Sequence, residues 1–266
     1  MTVEKLLLTG AAGALGKVLR ESLKPDCKAM RVSDKVAMAP AGDNEEVVQC
    51  DLGDKKAVDE LVRGCDAIVH LGGVSIEKSF EEVLDANIRG IFHIYEGARR
   101  HGCRRVVFAS SNHAIGFHKQ GEMLDANSLR RPDGYYGLSK SYGEDLSRFY
   151  FDRYGIETAC LRIGSSFPEP KDRRMLITWL SYGDLTRLVR ACLAAPKLGH
   201  TILYGASANR DKWWDNSLAS HVGFEPQDSS EPYRAKAESV PPLSPDDPAR
   251  IYQGGAFVKA GPFEDD

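Results

Sequence analysis

From Val3 to about Cys192, short apolar runs alternate with longer segments whose apolar residues recur every three or four positions, the order that builds β-α-β units and a parallel sheet. The runs predict strands at 5–9, 29–33, 46–49, 67–71, 105–110, 158–163 and 201–204, and the longer patterns predict helices near 14–23, 55–63, 80–101, 136–154 and 182–195. Within 80–101, Val83, Asn87, Ile91, Ile94 and Ala98 share one helical face, a stripe suited to packing on the sheet or to a subunit contact in a homo-oligomer. Ile68-Val69 and Val106-Val107-Phe108 are apolar on both faces of their strands, as expected where helices cover both sides. The expected architecture is α/β, a doubly wound parallel sheet. After about Gly205 the pattern degrades, because Pro226, Pro232, Pro241, Pro242, Pro245 and Pro248 leave little room for long regular elements. We expect one domain over residues 1–266, with about 164–180 and 205–266 forming a small irregular C-terminal lobe on the substrate side.

Composition narrows the function. Hydrophobic residues make up 42% of the 266 positions and charged residues 27%, an ordinary globular mix. Lys and Arg number 35 against 38 Asp and Glu, a formal charge of −3, so no strong basic field exists to hold nucleic acid or an anionic membrane. Cys27, Cys50, Cys65, Cys103, Cys160 and Cys192 are scattered without a Cys-x-x-Cys pair, which suits buried thiols in a reducing compartment and implies no metal site. With no apolar run long enough to span a bilayer, a cytoplasmic protein is expected.

Thr9-Gly10-Ala11-Ala12-Gly13-Ala14-Leu15-Gly16 follows the first strand directly and opens a helical pattern. In that context Gly10 permits a tight turn, Gly13 lets backbone approach a pyrophosphate, and Gly16 allows close packing of the helix, whose N-terminus faces the anion. A dinucleotide is the natural ligand of such a turn. Asp34 closes the second strand 24 residues after Gly10, where a carboxylate accepts from the adenosine ribose hydroxyls and repels a 2′-phosphate, favouring NAD over NADP. Asp51-Leu52 and Leu71-Gly72-Gly73 end the third and fourth strands and serve either the adenine and the cofactor backbone or plain turn chemistry.

Tyr136 and Lys140 stand at i and i+4, on one face of a helix. A free phenol has a pKa of ~10, and a neighbouring cation favours the phenolate, so the pair is expected to make Tyr136 a general base. Tyr135 has Ser139 at that spacing instead. Ser110-Ser111-Asn112-His113 end the fifth strand, and ligands of doubly wound sheets bind at the carboxyl ends of strands. Ser111 is therefore placed to hydrogen-bond the reacting oxygen, unless the segment merely caps the next element.

Thr9 to Gly16, Ser111, Tyr136 and Lys140 together resemble the extended short-chain dehydrogenase/reductase family. More narrowly, the chain is similar over nearly its whole length to the uronate dehydrogenases, on His70-Leu71-Gly72-Gly73-Val74-Ser75, Ser110-Ser111-Asn112-His113, Arg131-Pro132-Asp133-Gly134-Tyr135-Tyr136-Gly137, Arg162-Ile163-Gly164-Ser165, Pro168-Glu169-Pro170, Arg174-Met175-Leu176, Trp213-Trp214-Asp215-Asn216 and Gly254-Gly255. The resemblance implies a Rossmann-type fold and NAD-dependent oxidation of D-glucuronate and D-galacturonate, as cyclic hemiacetals, to the aldarolactone. It implies catalysis by Tyr136, Lys140 and Ser111, and cofactor contacts from Gly10, Gly13, Ala14, Leu15, Gly16, Asp34, Asp51, Leu52, Leu71, Gly72, Gly73, Tyr136, Lys140 and Ile163. Substrate contacts are implied for Ser75, Ser111, Asn112, His113, Tyr136, Ser165 and Arg174, with Arg174 on the carboxylate. A guanidinium forms a bidentate pair with a carboxylate, a role for which Arg173 is the rival.

Two other functions share part of this pattern. A nucleotide-sugar epimerase or dehydratase has the same glycine turn and Tyr-x-x-x-Lys but needs a larger C-terminal domain for its nucleotide, and Asn112-His113 departs from its usual pattern. A non-catalytic NAD(H)-binding regulatory protein typically loses the Tyr or the Lys, and both stand here. Trp213-Trp214 is read as lobe packing, since large aromatics dominate core burial.

Overall fold

The computed structural model describes residues 3–261, 263 and 264. Seven parallel strands form one sheet: β1 Val3–Thr9, β2 Cys27–Asp34, β3 Glu45–Gln49, β4 Ala67–His70, β5 Arg105–Phe108, β6 Glu157–Ile163 and β7 His200–Gly205, in the order β3-β2-β1-β4-β5-β6-β7. Each expected strand is present within two residues at either end. The order reverses between β1 and β4, which opens a crevice at the carboxyl ends of these two strands.

Alternate side chains of each central strand enter different cores. Leu6, Leu8, Val69, Val107 and Leu161 pack on one face with Leu19 of α1 (Ala14–Ser22) and Leu188 and Val189 of α7 (Tyr182–Ala194). Leu7, Ile68, Val106, Phe108 and Cys160 pack on the other, with Val58 and Leu61 of α2 (Lys55–Val62), Ile91 and Ile94 of α4 (Gly90–His101), and Tyr150 of α5 (Tyr135–Tyr154). Burying each such aliphatic side chain contributes roughly 1.5–3 kcal/mol. The cysteines are all buried and unpaired.

The helix expected over 80–101 is interrupted. It begins as α3 (Phe80–Val83), widens into a π-turn at Leu84–Arg89 and resumes as α4. Asn87 lies in the widened turn, where its Oδ1 accepts from Val74 N (2.8 Å) and its Nδ2 donates to Val74 O (3.1 Å) and Ser139 Oγ (2.9 Å). A buried amide with three tertiary partners displaces the regular helical register there.

The proline-rich end is less irregular than expected. Short helices form there at α8 (Arg234–Ser239) and α9 (Pro248–Ile251), and the segment between β6 and α7 carries a further short helix, α6 (Met175–Thr178), each of one to two turns. Trp213 and Trp214 pack with Ile115, Leu124 and Tyr204, consistent with a packing role. Among the described residues no helix is long and apolar enough to cross a membrane.

Candidate active site

The glycine turn after β1 lies against the loop that follows β4. Gly10 adopts φ +72°, and a Cβ there would stand 2.8 Å from Gly72 N. A Cβ on Gly16 would collide with the Gly10 carbonyl, so the first turn of α1 closes onto the loop only because position 16 lacks a side chain. Gly13 caps α1 without a side-chain hydrogen bond, and Gly13 and Ala14 are exposed while Leu15 is half-buried. Unpaired amides at the start of a helix form a site for a diphosphate. Asp34 Oδ2 accepts from Ala12 N (3.0 Å), tying the end of β2 to this turn. Asp51 is exposed and caps Gly53 N (2.9 Å). Leu52 reaches toward Gly72 and Gly90, and Leu71 and Gly72 donate their amides to Thr9 O (3.3 Å) and Thr9 Oγ1 (3.2 Å). His70 is buried on Thr9 Oγ1 (2.7 Å), and burial holds its imidazole down at about 3, which keeps it neutral.

The tyrosine and the lysine enter from α5. Its cap, Gly134, offers no side chain; the buried carboxylate of Glu77 substitutes, Oε1 accepting from Tyr135 N (2.7 Å) and Oε2 from Tyr136 N (2.9 Å). Sequence reading passed over Glu77, because a cap 58 positions away leaves no local signal. Lys140 Nζ lies 5.4 Å from the Tyr136 ring centroid and 5.1 Å from that of Phe108, over the aromatic faces. Burial pushes the Tyr136 phenol up to about 12, with a Ser111 hydrogen bond lowering it and the Asp133 charge raising it in smaller measure. Burial also brings the Lys140 ammonium down to about 8. Both groups are thus desolvated in the cofactor-free protein, and the lysine is itself driven toward neutrality.

Ser111 is buried and pairs with Ile163 at the end of β6 in an isolated parallel bridge; its Oγ accepts from His113 N (3.2 Å). His113 stacks on Phe257, ring centroids 3.8 Å apart, and meets Tyr136 edge-on at 5.7 Å. Arg174, at the start of α6, donates from Nε to Gln253 O (2.7 Å) and from Nη1 to Ser165 Oγ (3.2 Å). With its side-chain amide oriented so that both ends are satisfied, Asn112 presents its oxygen to Arg174 Nη2 (2.7 Å) and donates to Ile163 O (3.1 Å). Burial pulls the Arg174 guanidinium down to about 10, against the more distant charges of Asp172 and Asp133. Among the described residues Arg174 has hydrogen bonds only to neutral acceptors and forms no salt bridge. Arg173, the rival, is exposed and bonded to Glu238 O. Ser75 lies exposed in the loop after β4. The structure thus brings Ser111, Asn112, His113, Tyr136, Lys140, Ser165 and Arg174 into one contiguous cluster at the carboxyl end of the sheet.

A further buried pair braces this cluster. Glu144, one turn after Lys140, receives Arg162 Nε (2.9 Å) and Nη2 (2.8 Å) and Ser110 Oγ (2.6 Å).

Sheet order, switch-point crevice and glycine turn define a dinucleotide-binding protein of the doubly wound class. Residues 6–183 match the NAD dependent epimerase/dehydratase family. The chain is 64% identical over 98% of its length to a uronate dehydrogenase of Pseudomonas syringae pv. tomato, covering 95% of that protein. A crystal structure of a glucuronic acid dehydrogenase from Chromohalobacter salexigens superposes with a TM-score of 0.96 at 50% identity, over 98% of both chains. A point mutant of the Agrobacterium tumefaciens uronate dehydrogenase, complexed with NAD, superposes with a TM-score of 0.95 at 50% identity, over 98% of this chain and 99% of that one. The chain belongs to the NAD dependent epimerase/dehydratase family and, within it, to the uronate dehydrogenases. It is an NAD-dependent oxidoreductase.

Proposed function

We propose that the protein oxidises D-glucuronate and D-galacturonate, as cyclic hemiacetals, at C1 to the aldarolactone. The observation that carries this reading is Arg174: a half-buried guanidinium bonded to Gln253 O, Ser165 Oγ and Asn112, with no salt-bridged carboxylate of its own among the described residues. A sugar acid supplies the missing anion, whereas a neutral sugar leaves the charge unpartnered.

Ser111 and Tyr136 hold the anomeric hydroxyl, and Tyr136 as phenolate removes its proton while the C1–H bond breaks with its electron pair, leaving the lactone carbonyl. NAD supplies the acceptor for that hydride and a positive ring that favours the phenolate. Lys140, protonated below about 8, adds a second positive charge over the tyrosine ring. Asn112, His113, Ser165 and Ser75 orient the sugar. The cofactor residues we propose are Gly10, Gly13, Ala14, Leu15, Gly16, Asp34, Asp51, Leu52, Leu71, Gly72, Gly73, Tyr136, Lys140 and Ile163; the absence of side chains at Gly10 and Gly16 and the uncapped start of α1 support a diphosphate there. Segments 164–180 and 205–266 are proposed as the substrate-side lobe, because Ser165, Arg174 and Gln253 meet in it.

Steady-state assays of Arg174→Ala with glucuronate and galacturonate test the reading. Losing hydrogen bonds to a charged group raises KM roughly 10- to 100-fold while leaving NAD affinity unchanged; an unchanged KM for both uronates overturns it. Accumulation of NADH separates this oxidation from epimerisation, which returns the hydride and shows no net reduction.

A further inference from the structure

One buried carboxylate beside the cluster has no task in the proposed reaction. Asp133 is wholly enclosed, its side chain 0% exposed, one residue before the cap of α5. Its Oδ2 lies 2.7 Å from His113 Nδ1, while Oδ1 is buried with no hydrogen-bond partner. A Cβ on Gly116 or Gly254 would collide with this carboxylate, so two backbone segments come close to it only because they lack side chains. Enclosing a carboxylate with one oxygen unpaired costs stability.

We propose that Asp133 is a positioning residue that holds the imidazole hydrogen of His113 on Nδ1 and thereby presents Nε2 as an acceptor to the substrate. An ionised carboxylate only accepts hydrogen bonds, so its partner nitrogen must carry the hydrogen. The ring itself is held by its stack on Phe257 and by its edge contact with Tyr136, which leaves the tautomer as the remaining variable. Nε2 has no partner among the hydrogen bonds of the described residues, and the side chain keeps 12% of its surface exposed. In a neutral imidazole with hydrogen on Nδ1, Nε2 accepts from a sugar hydroxyl; with the other tautomer it repels that hydroxyl's hydrogen. That last step rests on the uronate reading, whereas the assignment of the tautomer does not.

Nitrogen-15 NMR of the histidine rings, in the wild type and in Asp133→Asn, tests the assignment. The wild type should show His113 hydrogenated at Nδ1 and without hydrogen at Nε2. In Asp133→Asn the side-chain amide can donate to Nδ1, which shifts the ring toward the Nε2–H form. Turnover of uronate should fall roughly 10- to 100-fold in kcat/KM, with NAD affinity unchanged and the thermal midpoint equal or higher, because a buried charge is removed. A wild-type ring hydrogenated at Nε2 overturns the proposal without any variant. Equally, it fails if Asp133→Asn loses stability and activity together while the tautomer stays on Nδ1. A wild type with the expected tautomer but no turnover of either uronate sinks the substrate reading and upholds the role of Asp133.

Discussion

The carboxylate of Glu77 caps the helix that carries Tyr136, accepting the backbone N–H of Tyr136 at 2.9 Å and that of Tyr135 at 2.7 Å. One loop thus carries Ser75 and also sets the start of the helix bearing the proposed base. Two charge-assisted bonds at a helix N-terminus stabilise by about 2–4 kcal/mol together. Glu77→Ala should lose about that much in urea unfolding, and kcat should fall more than NAD affinity because the displaced atoms belong to Tyr136. Glu77→Gln, which keeps one acceptor, should lose about half. A full-strength kcat in Glu77→Ala would separate the cap from catalysis.

Lys140 should reduce stability at neutral pH. Its pKa in the folded protein is lowered by burial from 10.5 to about 8, so the unfolded chain binds the extra proton between those values. Below pH 8 both states are protonated and the cost is fully present; between about 8 and 10.5 stability rises with pH; above 10.5 the contribution is gone. Replacing the charge, as in Lys140→Met, should therefore stabilise the cofactor-free protein by up to about 3 kcal/mol at pH 7 while abolishing turnover. The difference from wild type should vanish as the pH approaches 10.5. Chemical denaturation across pH reads this directly; a constant difference would refute it.

Arg162 and Glu144 form a fully enclosed ion pair, their side chains 0% exposed, that joins β6 to α5 just beyond Lys140. Removing Glu144 strands the Arg162 charge, and removing Arg162 leaves Glu144 only a 3.9 Å ion contact with the exposed Arg130, so Glu144→Leu or Arg162→Met alone should cost about 3–5 kcal/mol. The double substitution should recover most of that loss, because both desolvated charges are then gone. Urea titrations of the four proteins in a double-mutant cycle provide the measurement, and additive losses would contradict the pairing.

Much of this was visible in the order of residues. Strand positions follow from apolar runs that the sheet buries on both faces, as at Leu6, Leu7 and Leu8, and the glycine spacing after β1 marks a turn that only small residues can make. Tyr136 and Lys140 share a helix face by arithmetic alone. The interruption at Asn87 was not visible, since its partners Val74 and Ser139 lie 13 and 52 positions away. Nor was the choice between Arg173 and Arg174 open to local reading, because two adjacent arginines differ only in what the rest of the chain wraps around them.

Periodicity and turn chemistry act over a few residues, so the chain by itself determined the fold class, the glycine turn and the tyrosine–lysine pairing. Protonation and charge balance depend on the solvent that distant segments exclude. Only the tertiary structure decided that Tyr136 and Lys140 are both desolvated, that Arg174 is half-buried among neutral acceptors with no salt bridge among the described residues, and that Asp133 is buried against His113.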